Sequence, residues 1–362
     1  CIRDRLFATD NELWIGTESG AYIYNLRTGK YTHLRSSEYD PYSLSDNAIY
    51  SFCKDREDGI WIGSYFGGVN YYPRSYTHFE KYYPKGEENS LHGKRVREFC
   101  RDNYGVLWIG TEDGGLNRFN LNTKEFSFFA PSAGFTNIHG LCLVDDKLWV
   151  GTFSKGLKII DTRTGTVLKT YQKNSSPRSL IDNSIFAICR TATGDIYLGT
   201  MFGLVKYNKQ SDDFDRIPEL NGKFVYDIKE DSGGNIWLAT YANGAYCYNV
   251  NDRKWKNYVH DDKDNTSLPY NKVSSVFEDS HRQIWLTTQG GGFCIFHPES
   301  ETFTSYNSTN GLPSDVVYQI VEDKDGFFWL TTNNGLVCFQ PTTGTMKVYT
   351  CLLYTSPSPR DC

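Results

Sequence analysis

Short apolar stretches with alternating character follow one another along the chain, separated by turns rich in Asp, Asn and Gly. Alternation at period two with that punctuation predicts β-strands. The clearest stretch has the form Leu-Trp-Ile-Gly-Thr. It occurs as Leu13 to Thr17, Ile60 to Ser64, Leu107 to Thr111, Leu148 to Thr152, Ile196 to Thr200, Ile236 to Thr240, Ile284 to Thr288 and Phe328 to Thr332, with Tyr197 once in place of Trp. The recurrence, about every 45 residues, excludes leucine-rich and ankyrin arrays and falls in the range of propeller blades.

Each repeat holds four strand signals. In the second, Ile49 to Cys53 runs into a turn at Asp55 to Gly59, the Trp strand follows, Gly67-Gly68 breaks the pattern, and Val69 to Tyr72 and Thr77 to Tyr82 complete the set. Four antiparallel strands in meander order make one blade, whose two apolar faces are buried only by stacking on neighbouring blades. The fold class expected is therefore an all-β propeller of eight repeat units, with each Trp wedged between blades. Residues 47–350 contain seven complete units, enough for a seven-bladed ring with residues 1–38 as the last blade of a preceding propeller; an eight-bladed ring is the alternative.

Composition narrows the function. Aromatic residues make up 15% of the chain and the net charge is −5, which gives no electrostatic bias toward nucleic acid. No stretch has the length and apolarity of a membrane span. The chain starts at Cys1-Ile2-Arg3-Asp4 and reads as an internal fragment, while residues 351–362, with Ser356-Pro357-Ser358-Pro359, abandon the pattern and read as a non-native tail. Of the ten cysteines, Cys53, Cys100, Cys142 and Cys189 fall on one repeat position and Cys247, Cys294 and Cys338 on another. Other repeats fill those positions with Lys229, Phe277 or Ile159, and there is no C-x-x-C pair, so small packed thiols are expected, with no metal site and no cofactor.

Leu107-Trp108-Ile109-Gly110-Thr111-Glu112-Asp113-Gly114-Gly115-Leu116-Asn117-Arg118-Phe119 resembles the two-component regulator propeller repeat, as does the run from Gly311-Leu312-Pro313 through Ile320-Val321-Glu322-Asp323 to Trp329. The resemblance covers the chain up to about residue 350. It implies the periplasmic sensor region of an inner-membrane hybrid two-component receptor from a carbohydrate-degrading bacterium. In that family paired seven-bladed propellers precede a small β-sandwich, a membrane span, a kinase and a DNA-binding output module. Its implied partners are an oligosaccharide or other small ligand, the adjacent propeller and sandwich domains, and a second copy in the parent homodimer. The kinase is not among these residues, so its chemistry is not carried over.

Propeller ligand sites grow where the loop entering the innermost strand and the loop after the Trp strand share the channel mouth. The entry positions hold Asn47, Lys94, Asn183, Lys223, Asn271 and Asp315. Slightly further in are Tyr50, Arg97, His139, Phe186, Tyr226, Ser274 and Tyr318, with Arg95, Glu98, Asp227 and Gln319 beside them. After the Trp strand come Glu112, Tyr65-Phe66, Phe153 and Tyr241. Aromatic faces with planar donors and acceptors suit a sugar, and Lys94, Arg95, Arg97 and Lys155 would also suit an acidic one. The candidate binding set is Tyr50, Tyr65, Phe66, Lys94, Arg95, Arg97, Glu98, His139, Phe153, Tyr226, Asp227, Tyr241 and Tyr318.

A lone His139 without a second His at metal spacing reads as a hydrogen-bonded channel residue, and the turn aspartates Asp55, Asp102, Asp231, Asp279 and Asp323 read as structural. The expected function is non-catalytic ligand sensing. One alternative is a glycoside hydrolase or polysaccharide lyase using Glu98 with Asp227 or Asp315, although no catalytic motif surrounds them. The other is a protein-interaction platform, which a large apolar patch on the same face would favour.

Overall fold

A computed structural model describes residues 2–349 apart from 39, 41, 57, 73–81, 87, 88 and 130–134. They form eight antiparallel sheets in meander order, here blades 1 to 8, over residues 2–34, 49–72, 96–129, 138–171, 185–216, 225–258, 273–306 and 317–349. Seven blades show four strands, and blade 2 shows three; its fourth, expected over residues 77–82, lies outside the described residues except for Tyr82. The tail over residues 351–362 also lies outside them. The chain divides into two compact units, blades 1 and 2 within Cys1–Glu87 and blades 3 to 8 within Glu88–Thr350. Within each unit the first strands of successive blades lie against one another, which makes them the innermost strands.

The turn aspartates do more than bend the chain. In blade 3, Asp102 Oδ1 accepts the Tyr104 and Val106 amides while Oδ2 accepts the indole N–H of Trp108 at 2.9 Å. Asp231, Asp279 and Asp323 hold Trp237, Trp285 and Trp329 in the same way at 2.9 Å. A buried indole N–H needs an acceptor, and an Asp six residues upstream supplies one without opening the apolar wedge. Trp14, Trp108, Trp149, Trp237 and Trp285 are buried, and Trp14 meets Phe52 and Tyr72 of blade 2 edge-on, as Trp285 meets Phe328 and Phe339 of blade 8. Trp61 departs from the expected wedge: it is 39% exposed and lies against Tyr71 of its own sheet.

The Gly and Thr after each Trp have separate tasks. Thr111, Thr152, Thr240 and Thr288 donate their hydroxyls to the carbonyls of Gly115, Gly156, Gly244 and Gly292, which hold φ between +73° and +81° and close the next hairpin. A Cβ on Gly110 would sit 2.6 Å from Ile138, and one on Gly151 would sit 2.7 Å from Ile185, so glycine permits the close approach of the next blade's first residue.

At the far end of the innermost strands Glu230, Glu278 and Glu322 reach back to the Ala192, Ser232 and Ser280 amides of the preceding blade's turn. One cysteine placement needs correction. Cys247 and Cys338 pair with Trp237 and Trp329, but Cys294 pairs with Leu286: the hairpin of blade 7 keeps the register of blade 6, with Ile295 opposite Trp285, so Cys294 stands one residue earlier and its thiol turns to the other face.

Candidate ligand-binding site

Every innermost strand carries a β-bulge at the same place. In blade 3 Val96 pairs with Thr111 and Glu98 with Gly110, which leaves Arg97 as the extra residue. The equivalent extra residues are Arg3, Tyr50, His139, Phe186, Tyr226, Ser274 and Tyr318. A bulge re-aims the side chain it adds, so the fold itself sets one chosen side chain per blade at a repeating position.

Most of these residues meet the residue that follows the Trp-strand Thr or Ser in their own blade. Arg3 bonds Glu18 at 2.5 Å, Tyr50 stacks on Tyr65 at 5.0 Å, and Arg97 faces Glu112 at 3.6 Å. His139 lies 5.8 Å from Phe153, and the Tyr318 hydroxyl donates to Asn333 Oδ1 at 2.6 Å.

In the second unit the bulge residues of different blades also meet each other. Arg97 Nη2 of blade 3 donates to the Tyr226 hydroxyl of blade 6 at 3.1 Å, so the bond spans the channel between blades three apart. A continuous aromatic cluster lies beside it. His139 meets Phe186 at 4.7 Å, Phe186 meets Tyr226 at 5.8 Å and Phe224 at 4.4 Å, and Phe224 stacks on Tyr241 at 5.3 Å. Two cations bound the cluster, Arg97 over Tyr226 at 5.6 Å and Lys272 over Tyr241 at 4.2 Å.

Burial, with Asp227 adding to it, raises the Glu98 carboxyl to about 8, and burial also raises Asp227. Burial and then the Arg97 charge lower His139 to about 4, so the ring is neutral at physiological pH. Its Nε2 lies 2.7 Å from Asn137 Oδ1. Asp227 bridges two strands: Oδ1 accepts the Ile228 amide and Oδ2 the Val276 amide of the next blade. Asp4 makes the same bridge to Phe52 in the first unit.

The structure thus joins Arg97, Glu98, His139, Phe153, Tyr226, Asp227 and Tyr241 in the second unit. Tyr318 is held by Asn333, Lys94 is exposed at the rim, and Arg95 is exposed and faces Glu112 at 3.7 Å. Tyr50, Tyr65 and Phe66 form a separate cluster in the first unit, where Arg3 lies over Tyr50 at 4.8 Å and Phe66 is 86% exposed. The entry residues Asn47, Asn183, Asn271 and Asp315 accept the Ser36, Lys173, His260 and Ser308 amides, tying down the connection between blades. Sequence reasoning missed Phe224 and Lys272. Their signal is positional: each lies two residues before a bulge residue, and its carbonyl accepts the amide of the residue after the Trp strand, Tyr241 or Gln289.

Residues 43–66, 90–113, 219–242 and 311–334 match the profile of the two component regulator propeller family. The chain carries two-component regulator propeller repeats. Each matched repeat contains a bulge residue and the residue that follows its Trp strand, as with Arg97 and Glu112. A histidine kinase of Formosa agariphila is 28% identical over 177 residues, 46% of this chain and 12% of that protein. The solved extracellular domain of a hybrid two-component system from B. thetaiotaomicron is 24% identical with a TM-score of 0.51, covering 96% of this chain and 51% of that one. PorZ, a surface component of the Porphyromonas gingivalis type-IX secretion system, is 13% identical with a TM-score of 0.57, covering 97% and 58%. The repeats therefore span about an eighth of the curated relative's length and half of the first solved structure's, and the two structures share their propeller fold. No helix among the described residues is long and apolar enough to cross a membrane.

Proposed function

We propose that this chain is a non-catalytic, periplasmic sensing region of a two-component receptor, and that it recognises an oligosaccharide at the channel mouth of blades 3 to 8. The observation that carries the reading is the aromatic cluster of His139, Phe153, Phe186, Phe224, Tyr226 and Tyr241, contributed by neighbouring blades and bounded by Arg97 and Lys272. Pyranose C–H faces stack on such rings, while the tyrosine hydroxyls and the two cations offer polar contacts around them. Arg97 bonded to Tyr226 couples opposite sides of the channel, so a ligand that displaces this bond favours one arrangement of the blades over another.

The carboxylates support a non-catalytic role. Asp227 accepts two backbone amides, and Asp315 accepts the Ser308 amide and hydroxyl, so each already serves the scaffold. Calorimetric titration of the chain with an oligosaccharide panel tests the proposal. Binding of one member is expected, and a heat-silent panel alongside tight association of a protein partner would replace ligand sensing with a protein-interaction role. The exposed Tyr65, Phe66 and Val69 edge of the first unit is the observation that favours that second reading.

A further inference from the structure

We propose that the channel of the second unit admits the end of an uncharged, hydroxyl-rich ligand, and that His139 and Ser274 read its hydroxyl groups; this rests on the ligand-sensing reading and names its ligand class. Among the described bulge residues of this unit, Arg97 and Tyr226 bond each other and Tyr318 bonds Asn333. His139 Nδ1 and Ser274 Oγ have no partner among the described residues, although the two residues are only 6% and 4% exposed. Buried polar atoms are nearly always paired, so two orphans at one repeating position mark a place for a polar ligand.

The chemistry of the two groups is specific. Asn137 Oδ1 only accepts, so the His139 Nε2 that contacts it carries the hydrogen and Nδ1 presents a lone pair. Ser274 both donates and accepts. They stand on blades 4 and 7, three apart, the same relation as Arg97 and Tyr226, whose bond spans the channel. The rings of Phe186 and Tyr226 stand on the blades between them.

Charge argues against an acidic sugar. Glu98 and Asp227 flank the Arg97–Tyr226 bond in sequence, Arg97 and Arg95 both face Glu112, and Lys272 is seated on Tyr241. A ligand carboxylate would meet the half-buried Asp227, whose oxygens are already held by the Ile228 and Val276 amides, and no unengaged arginine among the described channel residues, whereas a hydroxyl can donate to His139 Nδ1 and exchange a hydrogen bond with Ser274 Oγ.

The test is calorimetric titration of the chain with two probe sets, neutral gluco-, manno- and galacto-oligosaccharides and oligogalacturonides, repeated on Ser274→Ala and His139→Phe. The phenylalanine keeps the ring and removes Nδ1. A neutral oligosaccharide is expected to bind, about tenfold more weakly after His139→Phe and several-fold more weakly after Ser274→Ala, and oligogalacturonides are expected to bind at least about tenfold more weakly than it does. An acidic probe that binds as well, or a neutral one that neither substitution affects, overturns the inference and leaves ligand sensing standing. Silence from both sets overturns ligand sensing and this inference with it. Should melting show that His139→Phe does not fold, Ser274→Ala and the neutral-to-acidic comparison decide the same outcomes.

Discussion

Asp102 shows how much one side chain of the repeat carries. It accepts two backbone amides and the indole N–H of Trp108, and all three donors lose their partner when it is truncated. Asp102→Ala is expected to cost about 2–3 kcal/mol in chemical denaturation, and a loss under about 0.5 kcal/mol would remove the aspartate from the account of stability. The constant six-residue spacing to Trp was visible in the sequence, but turn dihedrals alone seemed to explain the aspartate, because its second oxygen acts on a residue across the hairpin.

Glu98 gives a prediction in pH. Its folded carboxyl is raised to about 8 by burial and by Asp227, so the folded state holds a proton that the unfolded chain releases near the ordinary glutamate value. Its contribution to stability is complete below about pH 4.3 and falls away as pH rises to about 8. Glu98→Gln should therefore melt higher than the parent at pH 8 and close to it at pH 4; equal melting temperatures at pH 8 would show that Glu98 ionises freely in the folded protein.

At the scale of the element, the strands and the Trp repeat were legible because periodicity and the Gly-Thr punctuation recur with little change. The bulge was not. Its residue is Arg, Tyr, His, Phe or Ser in different blades, so no residue type announces it, and only the pairing register shows that these side chains are the inserted ones. Alignment of the repeats nevertheless placed Tyr50, Arg97, His139, Tyr226 and Tyr318 in one column, since the bulge recurs at a constant distance from the Trp strand. Phe224 and Lys272 stayed hidden because their part depends on a backbone bond between two loops.

The wedge also has a graded test. Trp108 is fully buried against blade 4, whereas Trp61 is partly open, so Trp108→Ala should cost about 3–5 kcal/mol and Trp61→Ala clearly less. Equal losses in urea denaturation would contradict the burial assigned to the two indoles.

At the scale of the whole molecule, the second unit presents two blade faces that its internal junctions cover. Phe99 is 60% exposed in the register where Leu141, Ile228 and Val276 are buried, and Val321 is 58% exposed in the register of Cys100 and Cys142. Residues 88–349 alone are expected to self-associate with rising concentration in sedimentation experiments, and a monodisperse monomer would show that water satisfies those faces. The repeat count was plain from the sequence, but which face each end blade leaves open required the register.

The claim on which the functional reading rests is that side chains set by the bulges of separate blades act as one binding surface. Titration of the best oligosaccharide against the parent chain, Phe186→Ala, Tyr226→Ala and the double variant measures this directly, since the two rings are bulge residues of blades 5 and 6. Each single change should weaken binding by about 1–2 kcal/mol, and the double change should cost less than their sum because the two rings lie 5.8 Å apart in one cluster. Affinity unmoved by all three variants, with the fold intact by melting, would place the ligand elsewhere and contradict the account.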